Sequence, residues 1–425
     1  MELQELDAAY RMAEAAGDLE GCVACQMQIL ALRRAHPEVQ DSEAFAYQCE
    51  GRFLAFFAAA MLAYERGEAR LAEYYLRQFP QELIGDSIFF REYRYALGRL
   101  AYVRGAFAEA HTLLAAHLET FPQDETAWLA LGNAAYRAGH FQRASSAYAE
   151  ALYLKSSLSA AAENRRRALA AMMAPQGTTV PAPCEPDFSL GIDPEDWGEV
   201  RRLPIFINCR DRVTCVSRLV GWLLTAGYEN IILLDNASTY APLLSYYETI
   251  RQEAGGRVRI VRLGENLGHK ALWTSGILEL LDVRTPYVYT DPDVLPGDAC
   301  PPRFLQRFAR VLAQHPVIRK VGAALVYEDI TYFDREKKIE QERNFLHVPI
   351  GDDVYFANVD TTFALYRNVR FYHRAPALRI GGACRFRHLP WYYDYDHLPE
   401  DEQYYIDHAD ISSSLKYEMT QGTQA

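Results

Sequence analysis

Residues 231–239 of this chain have the sequence IILLDNAST, in which four aliphatic residues are followed at once by polar ones. A short unbroken apolar run bounded by turn-forming residues is typical of a strand buried on both faces of a sheet. Similar runs recur before and after it, and longer amphipathic segments separate them. Strands that alternate with helices in this way predict an α/β domain of the parallel, nucleotide-binding type.

The predicted strands are 205–207, 231–234, 258–261 and 287–289, and the predicted helices between them are 213–226, 243–253 and 269–281. In open sheets of this type, ligands bind off the carboxyl ends of the strands. Each predicted strand is followed by polar residues, so we expect one shared crevice at this edge. The four strand ends are Asn208–Arg212, Asp235–Thr239, Glu265–Lys270 and Asp291–Asp293.

The fourth strand end is a DxD sequence, in which Asp291 and Asp293 flank a proline. Side chains two apart at a strand exit can turn onto one divalent cation, which would bridge the phosphates of a nucleoside diphosphate. Mg²⁺ or Mn²⁺ suits such a site, because these ions take few carboxylates and complete their shells with phosphate oxygens. A lone DxD is also common by chance, and its position after the fourth strand is what favours the metal interpretation.

Several familiar signatures are absent. No GxGxxG follows the first strand and no GxxxxGK[ST] occurs, which argues against a dinucleotide site and excludes a P-loop. HExxH and GxSxG are absent too, which removes the simplest zinc-protease and α/β-hydrolase interpretations.

The N-terminal part contains an internal repeat. Leu97-Gly98, Gly105, Phe107 and Ala110 recur 34 residues later as Leu131-Gly132, Gly139, Phe141 and Ala144. This is the tetratricopeptide period, and degenerate copies precede it around Gly17 and Gly67. Such arrays leave a concave face that can hold a protein or peptide. The alternatives are an array that only packs on its own catalytic domain or that forms a homo-oligomer.

Prolines interrupt the helical pattern between Ala174 and Trp197. Helix cannot persist through that density of proline, so the segment is predicted to be a linker. The expected domains are a helical-repeat domain over 1–173, a Pro-rich linker over 174–200 and an α/β domain over 201–425.

Residues Leu203 to about Asp298 resemble the nucleotide-sugar half of GT-A-fold glycosyltransferases, closest to the family 2-like group. The matching motifs are the first polar strand exit, DNAST at 235–239, NLGHKALW at 266–273 and TDPDV at 290–294. The resemblance implies a Rossmann-like mixed sheet and a UDP-sugar donor. It also implies that Asp291 and Asp293 hold metal and pyrophosphate.

By the same resemblance, Asp235 would bind the uracil or ribose edge, and Asp235 as a turn residue is the alternative. The nucleotide-sugar cleft would be lined by Asn208, Arg210, Arg212, Asn236, Asn266, Gly268, His269, Lys270 and Trp273. Gly268 permits close backbone approach, and a cation such as Lys270 clamps phosphate as a point charge. A surface lysine is the alternative for Lys270.

Family 2 enzymes often carry an ED pair that supplies the inverting base. Near the expected place this chain has NVDTTF at 358–363, with no Glu before the Asp. The departure leaves the base and the stereochemical outcome open. Asp360 is the first candidate for the catalytic carboxylate, and a structural turn aspartate is its competing interpretation. Glu402 is an alternative catalytic candidate, although the acidic run at 400–402 is also typical of a helix N-terminus.

The tail contains Arg385, Arg387 and His388 in the sequence RFRHLPWYY. Many metal-dependent GT-A enzymes supply a late histidine as a third metal ligand, and His388 resembles it. Arg385 and Arg387 suit a diphosphate, because guanidinium forks bind phosphate bidentately. An ordinary core-facing histidine among surface residues is the alternative.

The formal charge is -12 at pH 7, and no basic run is long enough for a nucleic-acid footprint. The longest apolar stretch, residues 53–64, is too short to span a bilayer, and the acidic start is unlike a signal peptide. We therefore expect a cytoplasmic protein with no transmembrane segment and no nucleic-acid partner.

These observations predict a metal-dependent glycosyltransferase that moves a sugar from a nucleoside diphosphate to an acceptor, possibly a protein or peptide held by the helical repeats. The alternatives are a saccharide or lipid-linked glycan acceptor, or a non-catalytic helical-repeat scaffold with a degenerate transferase domain.

Overall fold

The structure is a computed structural model that describes residues 3–35, 43–78, 93–175, 177–331 and 335–408. Within those ranges, none of the helices has the length and apolar character that a membrane crossing requires. The predicted C-terminal domain extends to residue 425, and residues 409–425 lie outside the described part.

The N-terminal part is helical, and neighbouring helices pack against each other within residues 3–78 and within residues 94–173. Its helices are α1 (Leu3–Ala15), α2 (Leu19–Ala35), α3 (Glu43–Glu65), α4 (Ala69–Gln78), α5 (Arg94–Val103), α6 (Phe107–Thr120), α7 (Glu125–Arg137), α8 (Phe141–Leu154) and α9 (Ser159–Met173). Helices α6 and α8 begin and end 34 residues apart, as the repeat predicts. A Cβ on Gly132 would lie 2.4 Å from Tyr148 Cε1, so the repeat needs a small residue where α7 crosses α8.

The C-terminal part alternates strands and helices, after a short helix α10 (Trp197–Val200). Its strands are β1 (Ile205–Cys209), β2 (Ile231–Asp235), β3 (Val258–Arg262), β4 (Tyr287–Thr290), β5 (Val294–Pro296), β6 (Lys320–Ala323), β7 (Pro349–Gly351), β8 (Val354–Phe356), β9 (Ala364–Tyr366), β10 (Ala377–Ile380) and β11 (Phe386–His388). Its further helices are α11 (Val213–Thr225), α12 (Ala241–Glu253), α13 (Ala271–Thr274), α14 (Ile277–Leu280), α15 (Phe304–Gln314), α16 (Arg335–Asn344) and α17 (Glu400–His408).

Nine strands form one mixed sheet in the order β3-β2-β1-β4-β9-β6-β10-β8-β7. Strands β1 to β4 form its parallel half, in which Cys209 lies opposite Asp235 and Asp235 opposite Arg262. Strand β9 runs antiparallel to both of its neighbours, β4 and β6. Strands β5 and β11 pair as a separate antiparallel ribbon. The described chain is therefore a helical N-terminal region followed by a mixed α/β sheet.

The predicted helix over 269–281 is wrong in its extent. The segment forms a 3₁₀ turn at Gly268–Lys270 and then the two four-residue helices α13 and α14. Gly276 between them has a φ of 71°, a left-handed conformation that a continuous helix cannot contain. The break leaves Gly268 to Lys270 exposed at the sheet edge, where a full helix would have turned some of them into the core.

The two parts share a buried core, so the Pro-rich segment does not separate independent bodies. Phe57 of α3 packs against Phe356 of β8 with ring centroids 5.1 Å apart, and Tyr93 packs against the same ring at 5.7 Å. The Tyr93 hydroxyl also donates to Asn358 Oδ1 over 2.9 Å. Because these contacts fix the helices on the sheet, residues of the helical part can contribute to a site on the sheet.

Candidate functional site

The carboxyl ends of β1, β2 and β4 open into a cavity of about 1090 Å³. The structure brings together there most of the residues predicted from the sequence. Those that line the cavity are Asn208, Arg210, Arg212, Asn236, Asn266, Gly268, His269, Lys270, Trp273, Asp291, Asp293, Asp360 and His388. Their shared position follows from the topology, since parallel neighbours place their carboxyl ends at one edge.

Hydrogen bonds hold the first two strand exits against the turn at Gly268. The Asn236 amide donates to Gly268 O over 3.0 Å and accepts from the Leu267 amide over 2.7 Å. Asn208 donates to the same carbonyl over 3.3 Å. Gly268 has a φ of 66°, which favours glycine at this position. These bonds position the turn so that Lys270 reaches the cavity.

Asp211, which follows β1, joins the same two strand exits. Its φ is 58°, and its Oδ1 accepts from the amides of Thr239 and Tyr240 over 2.7 and 2.9 Å. The Asp211 carboxylate is buried, and it fixes the loop that carries Arg210 and Arg212 into the cavity.

Aromatic side chains form the wall around Lys270. The Lys270 ammonium lies 5.5 Å from the centre of the Tyr372 ring, and the His269 ring faces the same ring edge-on at 5.2 Å. Trp273 packs at 5.5 Å from Tyr372 and donates to the Tyr287 hydroxyl over 2.8 Å. A cation held over an aromatic face at a cavity wall can meet an anionic or sugar-bearing ligand.

The DxD carboxylates both line the cavity, where Asp291 is half-buried and Asp293 is buried. Thr361 donates its hydroxyl to Asp291 Oδ2, and the Asp291 amide donates to Thr361 O over 2.9 Å. Burial, and then the neighbouring Asp293 carboxylate, raise the pKa of Asp291. Asp293 differs, because Arg212 and His388 lower its pKa despite burial. The two acids therefore crowd one site and need positive charge nearby.

Arg212 supplies part of that charge. Its Nη1 lies 2.6 Å from Asp293 Oδ2, its Nε lies 2.8 Å from Glu402 Oε1, and its guanidinium lies over the Tyr405 ring. Asp401, which lies in helix α17 together with Glu402 and Tyr405, accepts a hydrogen bond from the Thr214 amide over 2.6 Å. Helix α17, whose Tyr405 also lines the cavity, thereby holds Arg212 against the DxD.

The prediction of Glu402 as an alternative catalytic carboxylate does not fit this geometry. Glu402 is 1% exposed, does not line the cavity and is bound by the Arg212 guanidinium. A carboxylate that lies outside the cavity lining and is bound to a buried arginine is not positioned to take a proton from an acceptor. Glu402 is better described as a residue that positions Arg212.

The metal-ligand prediction can be compared with the donors present. Asp293 Oδ1 is buried without a hydrogen-bond partner among the described residues, and His388 Nε2 lies 3.5 Å from Asp293 Oδ2. Over the same residues, no group of three or more His, Cys, Asp or Glu side chains is arranged to hold a metal ion. Two carboxylates nevertheless fit Mg²⁺ or Mn²⁺ when phosphate and water complete the shell. The role of His388 as a third ligand stays a prediction.

Asp360 is the exposed carboxylate of the cavity. It precedes Thr361, which contacts Asp291, and its Oδ1 accepts a hydrogen bond from the Tyr372 hydroxyl. The position beside the DxD and the exposure to the cavity are what a general base requires, because such a group must reach a substrate proton.

Asp235 does not lie where the resemblance implied. Its carboxylate is fully buried, does not line the cavity, and accepts from the Tyr247 hydroxyl and from Arg262 Nε, each over 3.0 Å. Both carboxylate oxygens thus have partners within the chain. We correct the nucleotide-binding assignment: Asp235 ties β2 to β3 and α12, and the neighbouring Asn236 faces the cavity.

Arg385 and Arg387 also lie outside the cavity lining. Arg385 is paired with Glu328, and Arg387 lies 2.7 Å from Asp329 and 3.3 Å from Asp298. The prediction that Arg385 and Arg387 bind the diphosphate is therefore corrected, because both arginines pair with carboxylates outside the cavity. On β11 the side chains alternate, and His388 is the residue of this segment that reaches the DxD.

The sequence predictions missed Tyr372, which contacts Lys270 and Asp360, and two further walls of the cavity. One wall is the buried pair of Arg379 and Glu342, whose Nη1 and Oε2 lie 2.9 Å apart. The other comes from the helical part, through Thr120, Phe121 and Gln123. Neither wall follows a predicted strand, and no local pattern distinguishes these residues, so only the tertiary packing reveals them.

The described residues define a helical-repeat protein joined to a mixed α/β sheet with a polar cavity at the ends of its parallel strands. No family model matches the chain, and no curated protein matches it. Among solved structures, the chain is similar to a mutant of the O-GlcNAc transferase of Thermobaculum terrenum, with 16% identity and a TM-score of 0.24. The match covers 66% of this chain and 54% of the O-GlcNAc transferase chain. This chain therefore spans about half the length of the protein that it matches. A TM-score this low does not establish a common fold.

Proposed function

We propose that this protein is a metal-dependent glycosyltransferase of the GT-A type, which transfers a sugar from a nucleoside diphosphate, with UDP as the first choice of nucleotide. The observation that carries the proposal is the convergence of two carboxylates, the half-buried Asp291 and the buried Asp293, with cationic side chains in one cavity at the carboxyl ends of parallel strands. Cations bind diphosphate, and paired carboxylates bind the divalent ion that accompanies it.

In this proposal, different residues of the cavity bind the diphosphate, hold the cation and accept the proton. Lys270 and Arg210 bind the diphosphate, while Arg212 holds Asp293 in place through the contact of 2.6 Å. Asp291 and Asp293 would hold the cation, which when bound offsets the charge that develops on the leaving diphosphate. Asp360 accepts the proton of the acceptor hydroxyl, and the Tyr372 hydroxyl orients its carboxylate.

The bond changes are those of a direct displacement. The acceptor oxygen forms a bond to the anomeric carbon, and the bond from that carbon to the diphosphate oxygen breaks. The diphosphate leaves with the bonding electron pair, and the acceptor proton goes to Asp360. A general base in this position typically contributes about 10²- to 10⁴-fold to the rate.

Thermal unfolding with UDP, GDP, CDP and ADP, each with and without Mn²⁺, tests the proposal. A ligand at about a hundred times its Kd adds about 2.7 kcal/mol to the free energy of unfolding. We expect a rise in Tm with one nucleotide, only when Mn²⁺ is present, and no rise in Asp291→Ala or Asp293→Ala. Asp298→Asn is the matched control, because Asp298 is an exposed aspartate outside the cavity.

The competing interpretation is a helical-repeat scaffold with an inactive transferase domain. Binding of none of the four nucleotides by the wild-type protein would favour it. Equal metal-dependent binding by the wild-type protein and both alanine variants would refute the assignment of Asp291 and Asp293.

A further inference from the structure

The Pro-rich segment lies on one face of the helical repeats. That face, here called the inner helix face, is the surface of α5, α7 and α9 that carries Arg99, Tyr102, Asn133, Asn164 and Arg167. Helices α5 and α7 are the first helices of their hairpins, and α9 is next in the array. Asn133 and Asn164 are fully buried, and their amides both donate to Cys184 O, over 2.9 and 2.8 Å.

The hydrogen bonds to Cys184 are made to its backbone and not to its side chain. The Cys184 amide donates to Asn164 Oδ1 over 2.6 Å, so Asn164 binds both polar groups of this residue. Asn133 is held in turn, because its Oδ1 accepts from the Tyr148 hydroxyl and from Asn164, each over 2.9 Å. Two interlocked amides that bind an extended backbone form a built peptide-binding site, and the chain itself fills it.

Side-chain contacts hold the segment on either side of Cys184. Glu185 accepts from the Tyr102 hydroxyl over 2.7 Å and from Arg99 Nη2 over 3.1 Å. Arg167 donates to Ala182 O, and Arg99 also lies 5.2 Å from the centre of the Phe188 ring. An acceptor peptide could use the same amides only after expelling residues 182–188 and breaking these contacts.

The helical part reaches the cavity by a different route. Thr120, Phe121 and Gln123, at the turn between α6 and α7, line the cavity. The Phe121 ring packs on Phe371 with centroids 5.0 Å apart, and Phe371 precedes Tyr372, whose hydroxyl contacts Asp360. This turn therefore faces the Asp360 side of the cavity, where the acceptor hydroxyl must arrive.

We propose that the acceptor is a saccharide that binds in the cavity against Phe121 and Gln123, and that the inner helix face is not the acceptor-binding surface. The inference rests on the proposed function, since it requires a sugar donor in the same cavity. Phe121 is 9% exposed and borders the cavity, and the exposed Gln123 amide beside it gives this wall the mixed apolar and polar character that a sugar ring needs. A cavity of about 1090 Å³ has room for a donor and a short acceptor, and the residues that define the inner helix face are not among those that line it.

The transfer step is the displacement described above, in which a saccharide hydroxyl forms the new bond to the anomeric carbon. Its proton passes to Asp360, and the nucleoside diphosphate leaves. Gln123 and Phe121 then determine acceptor affinity without changing donor binding.

The test uses the full chain, the UDP-sugar found to bind, a panel of methyl hexosides, methyl hexosaminides and methyl hexuronides, and a panel of Ser- and Thr-containing peptides. We expect transfer to a saccharide, with the acceptor KM of Gln123→Ala and Phe121→Leu at least about tenfold higher and UDP affinity within about twofold of wild type. Gln142→Ala, which replaces an exposed glutamine of α8 outside the cavity, should match wild type in both.

Transfer to peptides instead of saccharides would overturn the proposal, as would unchanged acceptor KM in Gln123→Ala and Phe121→Leu. Donor hydrolysis without transfer to any saccharide would overturn it as well. These failures differ from failure of the proposed function, which would appear as absence of nucleotide binding in the wild-type protein.

Hydrogen exchange provides a readout that does not depend on activity. We expect the Cys184 amide to exchange slowly in the full chain, and to stay slow when a saturating Ser/Thr peptide is added. Faster exchange on addition of peptide would show that peptide displaces residues 182–188, and it would contradict the exclusion of the inner helix face. Asn164→Ala, which removes the acceptor of that amide, should exchange faster without peptide.

Discussion

Arg319 Nη2, beside strand β6, lies 2.6 Å from Asp124 Oδ2 in the turn between α6 and α7, and both side chains are buried. His117 Nε2 approaches the same oxygen at 2.8 Å, and the guanidinium lies 3.7 Å from the centre of the Tyr95 ring. Although burial favours the neutral acid, Arg319 and His117 hold the pKa of the Asp124 carboxyl well below its usual range. This pair fixes the turn that carries Phe121 and Gln123 to the α/β sheet.

Asp124→Asn should lower the free energy of unfolding by about 3–5 kcal/mol, because it leaves the Arg319 charge buried without its partner. Urea unfolding followed by circular dichroism measures the loss. The control is Glu195→Gln, which breaks the exposed pair with Arg310 and should cost about 0–1 kcal/mol. Equal costs for the two variants would show that the buried pair does not join the two parts.

The pH dependence of the same pair has a definite sign. A carboxyl whose pKa is lowered by folding adds stability above its unfolded pKa of about 3.9, and that stability is lost as the pH falls through the folded value. The difference in unfolding free energy between wild type and Asp124→Asn should therefore be constant from neutral pH to about pH 5 and narrow below about pH 4. Unfolding curves at a series of pH values measure it, and a difference that widened in acid would contradict the assignment.

The parallel half of the sheet could be predicted from the sequence, because strands such as Ile231–Asp235 are buried on both faces and need unbroken apolar runs. The other half could not. Strand β9, only Ala364–Tyr366, is inserted between β4 and β6 by long-range pairing, and three residues carry no periodicity to detect. The mixed character of the sheet followed from the family resemblance alone.

In the candidate site, too, some residues could be predicted from the sequence and others could not. Asn236 and Lys270 were identified because polar residues after parallel strands converge. Asp235 was assigned wrongly, because nothing in the local sequence shows that Tyr247 and Arg262 occupy its carboxylate. Phe121 was missed, since it reaches the cavity only because Asp124 and Arg319 dock the helical part on the sheet.

Asp360→Asn should lower the rate of sugar transfer by about 10²- to 10⁴-fold and leave UDP binding and Tm unchanged. The reason is that Asp360 is exposed to the cavity and bears no buried ion pair in the described structure. Steady-state transfer kinetics with a nucleotide-binding titration measure both effects. A variant that kept the wild-type rate would remove Asp360 as the base.

Glu402→Gln, unlike Asp360→Asn, should lower the stability of the protein. The substitution removes the negative charge that pairs with the buried Arg212 guanidinium. We therefore expect the free energy of unfolding to fall by up to about 3–5 kcal/mol and the contact between Arg212 and Asp293 to weaken. Thermal unfolding and Mn²⁺ titration report these changes. A stable Glu402→Gln protein with intact metal binding and no transfer would instead restore Glu402 as a catalytic candidate.

Arg385→Ala and Arg387→Ala should leave UDP affinity within about twofold of wild type, whereas Lys270→Ala should weaken it by tenfold or more, equivalent to about 1.4 kcal/mol. The two arginines are paired with Glu328 and Asp329 outside the cavity, while Lys270 lines it. Isothermal titration with UDP compares the three variants directly. Loss of affinity in Arg387→Ala would show that this side chain leaves Asp329 for the diphosphate.

Mn²⁺ binding should tighten as the pH rises from about 5 to about 8 and should release protons. The physical reason is that burial and Asp293 raise the pKa of Asp291 above its usual value, and a carboxylate must be deprotonated to bind metal. Titrations in two buffers of different ionisation enthalpy give the number of protons released, and Asp298→Asn should release the same number as wild type. In Asp291→Asn the release should fall, because the group that carries the proton is gone. A pH-independent affinity in the wild-type protein would mean that Asp291 already binds metal as an ordinary ionised carboxylate, with Arg212 neutralising Asp293 enough to relieve the crowding.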